Sequence, residues 1–256
     1  MSQNLELGTS IVDALPVILE KKIKQIAALH FIVHPANYNW RQENSTPVLQ
    51  HQNLESGLIQ FKRPQVEISA TDFLLSPQVI ITELQNVFKG SLISILSKVK
   101  THNLKTRHIP TMNFHPEGVE ERSAEGLERI REFYNLIAPF SVGLFQTDRY
   151  WHAYGINTLL KPNKFMKWIA LHLNAASLIS PRYAGQSIKD GCTPTRITRS
   201  KSGGIKNVVP HLVEIIDGQA QNQKCWEHQQ PNQKLVEPDP SGIQVANVNC
   251  KITIIP

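Results

Sequence analysis

The chain has 256 residues, 41% of them apolar and 19% charged, with a net charge of +6 and a pI near 9.2. That length and apolar content allow one large domain, or a domain with a smaller appendage, around a sizeable core, and the moderately basic balance favours an anionic partner. The three cysteines, Cys192, Cys225 and Cys250, are odd in number and far apart, which excludes a disulfide framework and points to a reducing compartment. No apolar run reaches the ~20 residues that span a bilayer. The opening MSQNLELGTS lacks a basic and then apolar leader, so the expected location is cytoplasmic and no membrane partner is expected.

In chain order, Ser10 caps a predicted helix from Ile11 to about Leu29. Leu15, Ile18, Leu19, Ile23, Ile26 and Ala27 lie on one face, and Lys21, Lys22 and Lys24 on the other. HFIVHP (30–35) reads as a short strand. Residues 36–57 are a long polar loop, of the kind that often carries function. Leu58–Ile68 is strand-like at its edges. Ser76-Pro77 starts a helix to about Lys89, and Gly90 breaks it before a second helical piece, Ser91–Lys100. Residues 1–106 are thus expected to be a mainly helical N-terminal region.

Residues 107–256 read as an α+β core with C-terminal strands. Arg107–Phe114 is a β-rich run closed by His-Pro-Glu-Gly. Glu120–Ile137 has Leu127, Ile130, Tyr134 and Ile137 at helical spacing, and Pro139 ends it. Val142–Gln146 and Tyr150–Ile156 are two more strands around the polar turn Thr147-Asp148-Arg149. Pro162 then opens a helix bearing Phe165, Ile169 and Leu173. This β-α-β-β-α order is most of a ferredoxin- or RRM-like unit, whose sheet can serve as a palm. Thr193–Gly204 alternates Thr and Arg like a half-exposed strand. Ile205–Asp217 reads as a strand with Pro210 at an edge or bulge, 218–242 as a loop, and Ile243–Ile255 as a closing strand.

Three clusters could carry chemistry. Asn113 and His115 share one face at the end of the first core strand. His115 is a softer ligand that suits Mn²⁺ or Zn²⁺ better than Mg²⁺; the plainer reading of the pair is a strand edge with an Asn turn and a surface histidine. In Arg149-Tyr150-Trp151-His152-Ala153-Tyr154-Gly155, the residues Tyr150, His152 and Tyr154 share a face, where histidine and Arg149 could meet a phosphate and the aromatics stack a base. The same run also fits a packed aromatic strand. Arg182, Arg196, Thr198, Arg199 and Lys201, ending in Gly203-Gly204, suit a phosphate track, or else a solvated basic hairpin. Glu237, Asp239 and Lys251 lack the second acid of a nuclease site, and His102 and His108 have no zinc spacing with Cys192 or Cys225.

The order of these clusters resembles that of the archaeo-eukaryotic primase superfamily, including its primase-polymerase members. Asn113-Phe114-His115 falls where that family places an acidic metal motif on a palm strand. RYWHAYG (149–155) resembles its strand motif with a histidine. SPRYAGQSIKDGCTPTRIT (180–198) resembles a later segment whose arginine faces the nucleotide. The likeness covers roughly 107–216. It implies metal-assisted attack of a 3′-hydroxyl on an α-phosphate, with His152 and Arg196 as catalytic residues on the triphosphate. Arg149, Tyr150, Tyr154, Arg182, Thr198, Arg199 and Lys201 would then bind nucleotide and nucleic acid. Asn113 and His115 would hold Mg²⁺ or Mn²⁺ if the site is active; otherwise no cofactor is implied. Two departures matter: Asn113 stands where an Asp is expected, and Pro181 or Arg182 falls near the place of another acid. The expected function is therefore a primase-like nucleic-acid- and nucleotide-binding protein, a nucleotidyltransferase with a degenerate metal site. The alternative is a non-catalytic nucleic-acid-binding subunit of a defence or mobile-element complex. Expected partners are DNA or RNA, a nucleoside triphosphate and other proteins of such a complex.

Overall fold

Two antiparallel sheets with flanking helices give the chain an α+β fold. The computed structural model describes residues 5–34, 65–87, 92–120, 122–147, 150–175, 177–198, 209–219, 244–247 and 250–253. The expected loops at 36–57 and 218–242 fall outside these residues, apart from 218–219, as does 199–204.

Ser10 caps α1 (Ile11–Leu19) as expected, its hydroxyl accepting from the Asp13 N–H at 3.2 Å. The helix stops at Leu19, well short of Leu29. A 3-10 turn at Ile23–Gln25 follows, then β1 (Ile26–His34), β2 (Gln65–Ser69), α2 (Ala70–Leu75), α3 (Pro77–Val87), β3 (Leu92–Thr101) and β4 (Thr106–His108). The second helical piece expected over Ser91–Lys100 is thus the strand β3, and the N-terminal region is a mixture of strands and helices rather than mainly helical. The physical reason is burial. In β1 only Ala27 and His30 escape burial, and in β3 only Leu92, Lys98 and Lys100. A strand covered on both faces reads as a continuous apolar run, which period alone cannot tell from a buried helix.

The first sheet has the order β2-β1-β3-β4, with β8 (Pro194–Arg196) also pairing with β3. The second has the order β5-β7-β6-β9, from Thr111–Phe114, Trp151–Gly155, Val142–Gln146 and His211–Ile216. The single strand expected over Arg107–Phe114 divides at Ile109-Pro110. The Ile109 N–H donates to Ser97 O at 2.8 Å in the first sheet, and Pro110 O accepts from the Gly155 N–H at 2.8 Å in the second. Proline has no N–H to continue a ladder, so the chain changes sheets there. A β-α-β-β-α-β order runs through β5, α4 (Ala124–Ile137), β6, β7, α5 (Pro162–Leu173) and β9. Its last strand lies beside β6, not beside β5 as in the ferredoxin arrangement. Between α5 and β9 the chain forms α6 (Pro181–Asp190) and sends β8 into the other sheet. The expected closing strand is instead two antiparallel strands, β10 (Gln244–Asn247) paired with β11 (Cys250–Thr253).

The second sheet is buried on both faces along its central strands β6 and β7, while β9 at its edge is partly exposed. On one face Met112, Phe114, Val142, Leu144, Trp151 and Ala153 pack against α4 and α5, so both helices cover the same side. His172 is sealed in this core: Tyr134 Oη lies 3.2 Å from its Nε2, and its Nδ1 donates to Trp168 O at 2.6 Å. On the opposite face of β5–β7, Phe145 and Tyr154 join α1 and the first sheet in the other core.

Candidate functional site

Strands β5 and β7 pair so that Thr111 lies opposite Tyr154 and Asn113 opposite His152. One step beyond the ladder, the rings of His115 and Tyr150 are 4.1 Å apart. These three tiers share the face away from α4 and α5, because successive strand residues alternate sides. They grade from core to solvent: Thr111 and Tyr154 are buried, His152 is buried beside a half-buried Asn113, and His115 is exposed beside a half-buried Tyr150.

Arg196, at the end of β8, reaches the middle tier. Burial, and then the charge of Arg196, push the His152 imidazole down to about 3, against a hydrogen bond to the Arg196 backbone that favours protonation. His152 is therefore neutral at physiological pH. Its Nδ1 and the Oδ1 of Asn113 are buried and have no hydrogen-bond partner. Buried polar atoms are nearly always satisfied, so these two unsatisfied atoms on directly paired residues stand out on this face.

A seam of hydroxyls fixes β8 here. Thr111 Oγ1 bonds Thr193 Oγ1, and Thr193 N donates to Ser97 Oγ at 3.0 Å. The Tyr183 hydroxyl donates to Pro194 O at 3.2 Å. Thr195 lies beside the hydroxyls of Tyr154 and Tyr183, and burial pushes both phenols up. Nothing in the residue pattern alone singles out Thr193 and Thr195. The signal that could find them is the preceding helix: Ser180 and Pro181 at its start and Gly191 at φ 65° at its end delimit α6 and so set where β8 must begin.

The structure thus brings Asn113, His152, Tyr154 and Arg196 together, with His115 and Tyr150 at the open end. Thr198 is buried, its hydroxyl accepting from the Ile93 N–H at 3.0 Å, which pins the chain beyond β8 to β3. The backbone of Arg182 belongs to α6. Arg149, Arg199 and Lys201 lie outside the described residues.

The family's metal chemistry can be tested on these donors. Among the described residues no three His, Cys, Asp or Glu side chains converge. On the site face itself the nearest donors are an amide oxygen and a neutral imidazole. Hard divalent cations prefer anionic oxygens, and a two-metal site needs carboxylates to hold it. The set around Asn113 does not fit Mg²⁺, and no chemical step is assigned to a metal.

With this geometry in view, a family model described as AEP-like, archaeo-eukaryotic primase 1D-like, matches residues 74–208. It spans more than half of the chain, and the chain belongs to this family of archaeo-eukaryotic primase-like proteins. The match starts earlier than the likeness read from sequence and takes in α3 and β3, the strand on which β8 is built. No curated protein and no solved structure matches the chain.

Proposed function

We propose that this family member binds a nucleotide or the phosphate backbone of DNA or RNA on the β5–β7 face, with the second sheet serving as its palm. The observation that carries this is the interaction of Arg196, through its charge and its backbone, with His152, the strand residue paired with Asn113. Because His152 stays neutral, Arg196 supplies the positive charge for phosphate. His152 positions it by holding the β8 backbone. The His115–Tyr150 pair at the open end offers a face on which a base can stack. Tyr154, packed edge-on against Phe145 at 5.4 Å, supports the strand from below.

On this reading the chain is a binding module, and nucleotidyl transfer with Mg²⁺ or Mn²⁺ is the rival. Primer extension on the wild type, His152→Ala and Asn113→Asp separates them. The binding reading expects no synthesis by the wild type with either metal, and tighter Mn²⁺ binding by Asn113→Asp, since a carboxylate is added where only an amide oxygen stood. Template-dependent synthesis by the wild type that His152→Ala reduces about a hundredfold, the usual scale for a lost charge-stabilising donor, would establish the catalytic reading instead.

A further inference from the structure

The β3–β4 hairpin ends in a tightly bonded turn that leaves an apolar side chain in water. Leu104 has φ 60° and is 78% exposed. A non-glycine residue in this left-handed region is uncommon, and with a bulky side chain it persists only when its surroundings hold it there. Thr101 does so. Its hydroxyl lies 2.6 Å from both Asn103 Oδ1 and Lys105 O and accepts from the Lys105 N–H at 3.1 Å. Its backbone carbonyl accepts from the Leu104 N–H at 2.8 Å, and its N–H donates to Lys105 O at 3.0 Å.

The tip is also basic. The His102 N–H donates to Gln25 O at 3.2 Å, which sets the turn carrying Lys22 and Lys24 beside the hairpin. Lys105 follows Leu104 directly, and Lys24 and Lys105 are exposed with no ion-pair partner among the described residues. Lys100 is already held by Glu67 at 3.3 Å. A rigid turn thus presents one leucine flanked by uncommitted cations, away from the Arg196 face.

We propose that the β3–β4 hairpin tip is a second nucleic-acid contact, in which Lys24 and Lys105 hold the backbone and Leu104 wedges against a base step. Apolar wedges beside cations are how many architectural proteins part stacked bases. A single leucine is a poor membrane anchor, because stable anchoring needs a broad apolar face or two acyl-type signals. The inference takes only its class of partner from the function proposed above; the site and its residues are separate.

The test uses the full chain and two oligonucleotide probes, a duplex with 2-aminopurine at an internal step and the corresponding single strand. The wild type should raise 2-aminopurine fluorescence in the duplex as the base unstacks. Leu104→Gly should abolish that rise and weaken duplex binding about tenfold, the scale of burying one leucine. The same variant should melt at the wild-type temperature or higher, because glycine adopts φ above zero freely. A merely structural Leu104 would instead leave binding untouched. Lys24→Gln with Lys105→Gln should lower the log–log salt slope by about two, one for each phosphate no longer neutralised. Unchanged fluorescence and affinity in Leu104→Gly would overturn the proposal. So would Leu104-dependent binding to anionic phospholipid vesicles with none to the oligonucleotides. Arg196 is read on free nucleotide and the hairpin on oligonucleotides, so failure at one site is distinguishable from failure at the other.

Discussion

Acidification should unfold this protein through its buried histidines before its carboxylates titrate fully. Burial leads in holding His108 down to about 4, His152 to about 3 and His172 to about 4, against an ordinary value of 6.5. The folded state keeps these rings neutral while the unfolded chain protonates them. Stability is therefore complete above pH 6.5 and falls as the pH drops toward 4. Near pH 5.5 the unfolded state holds close to three more protons, which corresponds to a slope of about 3–4 kcal/mol per pH unit. Between pH 6.5 and 5 the integrated loss is about 5 kcal/mol, comparable with the whole stability of a marginal domain. Urea unfolding followed by tryptophan fluorescence at half-unit steps from pH 7 to 5 measures this slope. His172→Gln, which keeps a donor and an acceptor for Tyr134 and the Trp168 carbonyl, should flatten it by about one proton, close to 1.3 kcal/mol per unit. A wild-type slope below one proton in that window would refute the reasoning, since at least two of the rings would then be solvated or already charged.

Two further predictions concern stability alone. A β-carbon at Gly218 would overlap the Phe140 backbone, while at Gly185 in α6 nothing lies within 4 Å; Gly218→Ala should therefore lower stability by roughly 2 kcal/mol or more, and Gly185→Ala raise it by up to about 1 kcal/mol, both readable as shifts in Tm. Arg131 on α4 bonds Glu214 on β9 through Nε at 2.5 Å and Nη2 at 3.0 Å, and also pairs with Glu128; Arg131→Ala should cost about 0.5–1 kcal/mol because the bridge is partly exposed, with the loss shrinking in high salt.

The sequence disclosed the second sheet far better than the first. Amphipathic periodicity located α4 and α5 because each presents one face to the core and one to water, as Ile130 and Tyr134 of α4 and Phe165 and Ile169 of α5 show. The end of β1 reads as the strand 30–35, but its first residues and all of β3 read as helix. With both faces covered neither alternation nor a helical stripe survives, and a nine- or ten-residue apolar run is long enough to pass for helix where the five-residue β6 and β7 are not. Proline marked the change of sheet at Pro110 only once the two hydrogen-bonding partners were visible. At the site, strand alternation was enough to place Asn113 with His115 and His152 with Tyr154. It could not show that Arg196, more than forty positions further on, returns to His152, because that depends on β8 pairing with β3 in the other sheet. Nor could it tell an aromatic under the sheet from one at its open end. Burial separates Tyr154 from Tyr150, and burial is set by the tertiary packing of α1 and the first sheet.

If Arg196, held by a neutral His152, grips phosphate on the β5–β7 face, the guanidinium should govern nucleotide affinity. Isothermal titration of a nucleoside triphosphate into the wild type and Arg196→Ala, with and without Mg²⁺, tests this most directly. The wild type should bind, losing the guanidinium should weaken binding at least tenfold, about the 1.5–3 kcal/mol of a charge-assisted hydrogen bond, and the loss should be the same without Mg²⁺. Indistinguishable isotherms for the two proteins, or wild-type binding that vanishes without Mg²⁺, would contradict it.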